Sequence, residues 1–466
     1  MPCMKTAPLR LIACVCALLI ASSAVADDRP NIVFMLSDDQ SWSGTSVPMH
    51  PDHDFSCNKQ LHTPHLQGMA DRGIRFSSAY APAPVCSPTR ASLITGRSPA
   101  ALGWTKAGPS LTARKNPPML APKSSKSLDS EIVTFAELLQ QAGYRTAHLG
   151  KWHLGGGGPE AHGFDVSDGN IGNGESDKHK APNPVDLFGM AKRAEAFMAE
   201  AKQAGKPFFI QLSWLALHSA ENALPETIAK YKAAGLRRDR QAQRAALTEN
   251  MDTAVGRVIA SIEKLGLTDN TYVIFMSDNG GPSRDGINGG KGNLFEGGIR
   301  IPLVVTGPGI QANTWSHTPV VGYDLYPTFL DWAGVEIPAS VHAKLEGGSI
   351  AGLLTGETNK VERPREGLIF HFPHYQTQVT PHSAIRIGDY KLLKSHQTGK
   401  VKLFNLQADL REQKDLSKSQ PDLARDLESK LDAALKELGA DLPVINKDYD
   451  PSKPTETSVG PTRDRR

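Results

Sequence analysis

Buried-strand patterns alternate with helical patterns along most of this chain. Ile32–Leu36 is a continuous apolar run, and Thr271–Met276 is nearly so, which is typical of strands covered on both faces of a sheet. Between them, Ala191–Ala204 has a helical pattern that ends at Gly205. Because parallel strands need a crossover that is usually helical, this alternation predicts an α/β fold with a mixed, mostly parallel sheet flanked by helices.

The pattern changes after about residue 370. Asp389–Ser395 and Val401–Leu406 predict two strands of a hairpin, and Leu423–Leu438 predicts an amphipathic helix. The last residues are rich in Pro, Thr and charge, which favours disorder. The predicted division is a main α/β domain over residues 27–370, a smaller C-terminal α+β subdomain with an antiparallel sheet and a helix over 371–446, and a disordered tail over 447–466.

Residues 1–26 have the pattern of a secretory signal peptide. Lys5 and Arg10 precede the short apolar stretch Leu11–Ile20, and Ala24–Ala26 supplies small residues before a cleavage point. No later segment is apolar enough to predict a membrane span. The sequence therefore predicts an exported protein, periplasmic or secreted, that does not reside in a membrane.

The charge balance argues against two classes of partner. Removing the leader takes away two cations and no acid, so the formal net charge falls from +3 to +1. A nearly neutral chain has no general attraction to nucleic acid or to a membrane surface. Arg237–Arg240 is a local basic cluster, which either lies on a solvated helix face or binds an anionic polymer.

Polar side chains follow four predicted strands within a few residues of their ends; the strands are Asn31–Leu36, Tyr144–Leu149, Phe208–Leu212 and Thr271–Met276. In open α/β sheets, this edge is where binding sites form, because the carboxyl ends of parallel strands meet there. We therefore expect these side chains to lie close together. They are Asp38 and Asp39, Lys151 and His153, His218, and Asp278 with Asn279.

Four of these residues offer oxygen atoms that suit a hard cation. Asp38, Asp39 and Asp278 supply carboxylates and Asn279 supplies an amide carbonyl, with no thiol pair or His pair at metal spacing. Such a set favours Ca²⁺ or Mg²⁺ over Zn²⁺. An Asp pair after a strand can also cap a helix or form a turn, and that alternative stays open.

A second set consists of cations and proton carriers. Together they would bind a tetrahedral anion and stabilise charge that develops on it. Taken singly, each could equally be a surface residue or a satisfied core group. The members of this set are Arg90, Lys151, His153, His218 and Lys291.

Cys86 starts the segment Cys86–Arg90, with the sequence CSPTR. Without the leader, the chain keeps only Cys57 and Cys86. Exported proteins normally use cysteines in disulfide pairs, so Cys86 needs an explanation of its own. It is either a buried thiol in a turn before a helix or a residue kept for its chemistry.

Several segments resemble the sulfatase family, in the order in which that family has them. CSPTR is similar to the family's maturation signature, Cys-x-Pro-x-Arg, with Thr89 where Ser is more common. The resemblance covers nearly all of the chain after the leader. The resembling segments are Arg29–Asp39, Cys86–Arg97, Gly143–Gly155, Ser277–Gly280, Gly290–Lys291 and Asp389–Leu392.

The resemblance implies an alkaline-phosphatase-like fold and hydrolysis of sulfate esters. Cys86 would be oxidised to formylglycine by a formylglycine-generating enzyme or an anaerobic sulfatase-maturing enzyme. One hydroxyl of the hydrated aldehyde would attack sulfur, and Asp278 would help to deprotonate it. The implied ligands of Ca²⁺, with Mg²⁺ as the second choice, are Asp38, Asp39, Cys86, Asp278 and Asn279.

The resemblance also implies roles for the cationic set. Arg90 and Lys151 would fix the hydrate. Lys291 and His218 would face the ester oxygen, and one of them would protonate the departing alcohol. His153 would take the proton from the second hydroxyl and so release sulfate.

An exported sulfatase would act on a sulfated carbohydrate, as in polysaccharide degradation. His371 and His374 are the candidate substrate contacts outside the central set, and packing between subdomains explains them equally well. Two alternative functions remain open. One is hydrolysis of a phosphonate or phosphate monoester within the same superfamily, and the other is non-catalytic binding of glycans.

Overall fold

A computed structural model describes residues 28–108, 115–218, 222–281, 286–376 and 379–455 of the chain. The predicted leader, residues 1–26, lies outside the described residues, as does the end of the predicted tail, residues 456–466. Within the described residues, no helix is both long enough and apolar enough to cross a bilayer.

An eight-stranded sheet forms the centre of the main domain, in the order β10-β2-β9-β8-β1-β7-β5-β6. All pairings are parallel except those of β9, which runs antiparallel to both β8 and β2. The strands of the chain are β1 (Asn31–Ser37), β2 (Ile74–Phe76), β3 (Ala79–Tyr80), β4 (Met119–Leu120), β5 (Arg145–Gly150), β6 (Val166–Ser167), β7 (Phe208–Ser213), β8 (Thr271–Ser277), β9 (Leu303–Thr306), β10 (Thr314–Ser316), β11 (Val320–Val321), β12 (Leu368–Phe372), β13 (His382–Ile387), β14 (Tyr390–Ser395), β15 (Val401–Asn405) and β16 (Val444–Ile445).

Helices flank this sheet on both faces. A reciprocal capping box between Thr134 and Glu137 caps the N-terminus of the helix that starts after Thr134. The helices are α1 (Pro64–Arg72), α2 (Cys86–Thr95), α3 (Pro99–Leu102), α4 (Phe135–Gln141), α5 (Leu187–Gln203), α6 (Pro225–Ala233), α7 (Asp239–Lys264), α8 (Glu296–Ile299), α9 (Leu325–Trp332), α10 (Ala339–His342), α11 (Ala351–Thr355) and α12 (Pro421–Glu437).

The apolar run of β1 serves two hydrophobic cores at once. Val33 and Met35 belong to the core that includes α5 and α7, whereas Ile32, Phe34 and Leu36 belong to the core that includes α4 and α9. Alternate side chains of a strand point to opposite faces, so a strand covered on both faces is apolar at every position. The predicted α/β class with a mostly parallel sheet is confirmed.

The register of the central strands brings their carboxyl ends to one level. β1 lies between β7 and β8, and Ser37 is opposite Ser277. Gly150, the last residue of β5, is opposite Ser213, the last residue of β7. The polar residues that follow these four strands therefore emerge at the same edge of the sheet.

The C-terminal subdomain is an antiparallel sheet in the order β12-β13-β14-β15, with α12 packed on one face. Its β14–β15 hairpin lies where the sequence predicts it. The domain boundary at residue 370 stays a prediction. Residues 447–455, the start of the predicted disordered tail, instead contact the main domain, where Asn116 exchanges hydrogen bonds with the backbone of Asp450.

A buried ion network joins this subdomain to the main domain. Lys391 of β14 lies 2.7 Å from carboxylate oxygens of both Glu296 and Glu412. Glu296 also pairs with Arg300 at 2.6 Å. All four side chains are essentially inaccessible to solvent. Burial and the Glu296 carboxylate raise the pKa of Glu412 to about 7 despite the neighbouring lysine.

Lys391→Met is expected to lower the free energy of unfolding by about 3–5 kcal/mol, because Glu412 would lose the cation that it pairs with and Glu296 would be left with Arg300 alone. Lys394→Met on the same strand is the matched control. Lys394 pairs with partly exposed Glu428 and Asp432, so its loss should cost about 0–1 kcal/mol. Urea denaturation followed by circular dichroism measures both, and equal losses would contradict the expectation.

Candidate active site

Cys86 is the first residue of α2 and is almost fully buried. Its Sγ lies 3.3 Å from Asp38 Oδ1, 3.8 Å from Asp39 Oδ1 and 3.4 Å from Lys291 Nζ. Burial, with the carboxylates of Asp278 and Asp38, raises the pKa of the Cys86 thiol well above its usual value. The side chain is therefore a neutral thiol at neutral pH, and an unmodified Cys86 would be a poor nucleophile here.

Three carboxylates surround this thiol. Ligand atoms of Asp38, Asp39, Cys86 and Asp278 all lie within 4.8 Å of one another, and all four residues are buried. Buried carboxylates this close repel one another unless positive charge is present. The arrangement could hold a metal ion, as the sequence analysis expects for these residues.

Asn279 is oriented toward the same cluster. Its Nδ2 donates hydrogen bonds to Asp39 Oδ1 at 2.7 Å and to the Gly280 carbonyl at 2.9 Å. Its Oδ1 is buried and has no hydrogen-bond partner among the described residues. A buried acceptor without a donor is costly, and a cation would satisfy it. The donor set, three carboxylates and one amide oxygen, fits a hard divalent cation.

Each of the three carboxylates has its own cation. Asp38 Oδ2 lies 2.5 Å from Lys151 Nζ, and Asp39 Oδ1 lies 2.7 Å from Lys291 Nζ. Arg90 donates from Nε and Nη2 to one oxygen of Asp278, at 3.0 and 2.8 Å. Three negative and three positive side chains balance formally, so an added divalent cation would make the site positive and attractive to an anion.

These pairings set the protonation states. Burial alone would raise the pKa of Asp38, but Lys151, His218, Arg90 and Lys291 hold that pKa far below its ordinary value. Burial and the negative charge of Asp38 raise the pKa of Asp278 to about 6, against the effect of Arg90. Both carboxyl groups are therefore mainly ionised at neutral pH.

Both histidines of the site are neutral at neutral pH. Burial and then the nearby Lys151 ammonium lower the pKa of His153 to about 2. Burial likewise lowers the pKa of His218 to about 4, although Asp38 acts in the other direction. The Nδ1 atom of His153 is buried without a hydrogen-bond partner among the described residues, so this ring keeps an unused polar atom.

Backbone geometry at two positions is unusual for residues other than glycine. Asp39 and His153 have φ values of 59° and 60°, in the left-handed region. The Asp39 amide donates to Asp278 Oδ1 at 3.1 Å, which ties the loop after β1 to the loop after β8. Left-handed residues of this kind cluster at functional sites, where surrounding contacts hold them in place.

The structure brings together ten of the twelve site residues expected from the sequence. Asp38, Asp39, Cys86, Arg90, Lys151, Asp278, Asn279 and Lys291 form one connected cluster. His153 and His218 lie close enough for their pKa values to respond to the charges of Asp38 and Lys151.

Within the described residues, neither His371 nor His374 hydrogen bonds to this cluster, and their expected substrate contact stays a prediction. They are 2% and 3% exposed. His371 hydrogen bonds to Ser383 Oγ at 2.6 Å, and His374 to Thr105 Oγ1 at 2.7 Å. Their burial and these hydrogen bonds favour the packing alternative.

Sequence reasoning missed Arg244, which lies on α7. Its Nη2 donates to the Asp39 carbonyl at 2.8 Å and its Nη1 to the Leu217 carbonyl at 3.1 Å. Arg244 thus joins the loop that carries Asp38 and Asp39 to the loop that carries His218. No local motif marks this arginine, so only the tertiary structure reveals its contacts.

A cavity of about 580 Å³ opens beside the cluster. Ser87, which follows Cys86, and His153 line it. Trp104, Pro122 and Ile171 contribute apolar surface to its wall. The cavity is large enough for a small-molecule ligand that reaches the Cys86 side of the cluster.

Comparison with known proteins defines the class. The sequence profile of the Sulfatase family matches residues 30–335, and that of the N-sulphoglucosamine sulphohydrolase C-terminal region matches residues 290–441. The chain belongs to the sulfatase family and is a sulfuric ester hydrolase.

Two curated relatives match most of the chain. It is 32% identical to human arylsulfatase A over 421 residues, which is 80% of this chain and 76% of that protein. It is 29% identical to a sulfatase of Formosa agariphila over 509 aligned positions, which covers 90% and 91% of the two chains.

Solved structures share the fold. The structure of Ps i-CgsB in complex with k-i-k-neocarrahexaose has a TM-score of 0.74 and 25% identity, and covers 87% of this chain and 93% of that one. A second structure, solved with D-glucosamine-2-N,6-O-disulfate as its substrate, has a TM-score of 0.66 and 21% identity, and covers 91% and 100%. At that identity the second likeness concerns the fold alone.

Proposed function

We propose that this sulfatase removes sulfate from a sulfated carbohydrate and that its nucleophile is a formylglycine made from Cys86. The observation that carries this proposal is the position of Cys86 at the start of α2, in contact with Asp38, Asp39 and Lys291. Cys86 forms no disulfide with Cys57. Its raised pKa argues that the thiol itself is not the nucleophile.

Ca²⁺ is the ion that we propose for the carboxylate cluster, with Mg²⁺ as the second choice. Asp38, Asp39, Asp278 and Asn279 would hold it, together with the modified residue 86. When bound, this ion would act as a Lewis acid that neutralises charge on the sulfate oxygens. The unpartnered Asn279 Oδ1 and the all-oxygen donor set support the assignment.

The remaining residues would position groups and move protons. When Cys86 is converted, the hydrate of the aldehyde supplies the hydroxyl that attacks sulfur. Arg90 and Lys151 would hold that end of the site, since both are buried and fixed by ion pairs. Asp278, ionised at neutral pH, would accept the proton of the attacking hydroxyl. None of these residues protonates the departing alcohol, and that role falls to other residues.

Lys291, His218 and His153 would complete the proton transfers. Lys291 is protonated because Asp39 raises its pKa against the effect of burial, so it would protonate the departing alcohol with His218 beside it. His153 is neutral and has an unused ring nitrogen, which suits it to take a proton when sulfate leaves.

The substrate class follows from relatives and from the cavity. Relatives of this chain include a canine N-acetylgalactosamine-6-sulfatase, 30% identical over 357 residues. The cavity beside Cys86 could accommodate a sugar ring against its apolar wall. We further propose that the enzyme is exported, periplasmic or secreted, and matured by a formylglycine-generating or anaerobic sulfatase-maturing enzyme.

Mass spectrometry of the peptide that contains Cys86 tests the nucleophile. Conversion of the thiol to the aldehyde is expected to lower the mass of that peptide by about 18 Da. Matured enzyme should hydrolyse 4-nitrophenyl sulfate in preference to 4-nitrophenyl phosphate. A matched preparation from a host without the maturing enzyme should keep the thiol and lack activity, and full activity of that preparation would contradict the proposal.

A further inference from the structure

Three lysines line the cavity beside the reaction centre. Lys106, Lys123 and Lys126 contribute to its wall, and the described lining residues include no carboxylate. They lie in the loops after α3 and β4. These loops are outside the segments that resemble the sulfatase signatures. The reaction described above gives these three side chains no role.

Among the described residues, these lysines have no acidic partner, unlike the cations of the reaction centre. Lys151, Lys291 and Arg90 each pair with one carboxylate at 2.5–2.8 Å. Within the described part of the chain, none of the three cavity lysines forms an ion pair. Burial and then the Lys126 ammonium lower the pKa of Lys106, so two of these cations act on each other. An anion placed among them would relieve this repulsion.

The cavity also has the position that a substrate needs. His153, a residue of the reaction centre, and Ser87, the chain neighbour of Cys86, both line the cavity, so a ligand bound there lies next to the reaction centre. Trp104, Pro122 and Ile171 offer an apolar wall that suits the C–H face of a sugar. The lysines line the same cavity as this wall. A single glycan could therefore reach the reaction centre and the lysines together.

Building on the proposed function, we propose that this enzyme selects substrates with a second anionic group. The cavity binds the sugar that bears the scissile sulfate, and Lys106, Lys123 and Lys126 bind a further sulfate ester or carboxylate on the same glycan. The preferred substrate is then a multiply anionic oligosaccharide rather than a neutral sugar with one sulfate.

Calorimetric titration tests the selection without any turnover. The background is Cys86→Ala, which binds but does not react. Three disaccharides serve as probes: one neutral with a single sulfate, one with two sulfates, and one with a sulfate and a uronic acid carboxylate. The two dianionic probes are expected to bind at least about tenfold more tightly than the first. Whichever dianion binds best identifies the second group.

The triple variant Lys106→Gln, Lys123→Gln and Lys126→Gln is expected to abolish this preference while leaving the affinity for the singly sulfated probe within about twofold. A control with the same loss of charge replaces three exposed lysines elsewhere, Lys344, Lys400 and Lys418, and should keep the preference. A preference that survives in the cavity variant, or one absent from the parent protein, would overturn the proposal.

The outcome is separable from that of the proposed function. Hydrolysis of 4-nitrophenyl sulfate by the matured enzyme reports on the reaction centre alone. Hydrolysis of the sulfate ester without a preference for dianionic probes would contradict only the proposed lysine subsite. A preference for dianionic probes in a protein that releases no sulfate would contradict only the proposed catalytic function.

Discussion

Cys86→Ala is expected to lower kcat/KM for sulfate-ester hydrolysis by at least about 10⁴-fold, since removing a nucleophile leaves only the contributions of binding and charge stabilisation. The lost Sγ lies within 3.8 Å of side-chain atoms of Asp38, Asp39 and Lys291. Steady-state kinetics with 4-nitrophenyl sulfate measure the loss. Residual activity above about one tenth of the parent value would contradict the assignment of the nucleophile.

Cys57→Ala is the matched control for that substitution. Cys57 is the other cysteine of the described chain, is partly exposed, and makes only a long contact of 3.9 Å with the Asp54 carbonyl. Its replacement should leave kcat/KM unchanged within about twofold, as for most surface substitutions away from a site. Thermal unfolding of both variants shows whether each remains folded.

Removal of divalent cations is expected to lower kcat/KM by at least about 100-fold, because the transition-state charge would lose its Lewis acid. Ca²⁺ should restore activity, whereas Zn²⁺ should not, since the donor set contains no imidazole and only oxygen donors besides residue 86. Ca²⁺ should also stabilise the fold, by about 2.7 kcal/mol at a concentration 100 times its Kd. Chelation, metal addition and thermal unfolding measure these effects.

Asn279→Ala tests the contribution of the metal separately from the effect of disrupting the site as a whole. This change removes one proposed oxygen ligand but leaves the three carboxylate–cation pairs in place. The variant should need more Ca²⁺ for half-maximal activity than either the parent or Asn359→Ala, whose side chain is exposed. If chelation changes neither the Tm nor the activity of the parent enzyme, this cluster holds no functional cation.

The fold class could be predicted from the sequence because a strand buried on both faces has a continuous run of apolar residues. β1 is apolar from Ile32 to Leu36 because it faces two cores, and its neighbour β8 is apolar from Val273 to Met276 for the same reason. The reversal of β9 within the sheet was not accessible, because parallel and antiparallel pairings of a buried strand require the same residue types. The two-residue strands β3, β4, β11 and β16 are too short to form a pattern.

The centre of the site was predictable because its residues lie in contiguous segments directly after strands. Asp38 and Asp278 follow β1 and β8, which are neighbours in the sheet, so chain position implied proximity. Arg244 was missed because its contacts with two backbone carbonyls depend on how α7 packs. The two interpretations of His371 and His374 stayed open because the sequence does not distinguish a buried, hydrogen-bonded imidazole from one that faces solvent.

The buried network around Lys391 restricts how this chain can evolve. Glu296 begins the short helix that follows the Lys291 loop, and its charge is neutralised by Arg300 and by Lys391 of the C-terminal sheet. Recombination that exchanged the last hundred or so codons for those of a distant homologue would remove one of these two cations, unless the incoming segment carried an equivalent lysine. The two parts of the gene are therefore expected to diverge together, since their products also share a hydrophobic cluster that includes Ile299 and Ala384.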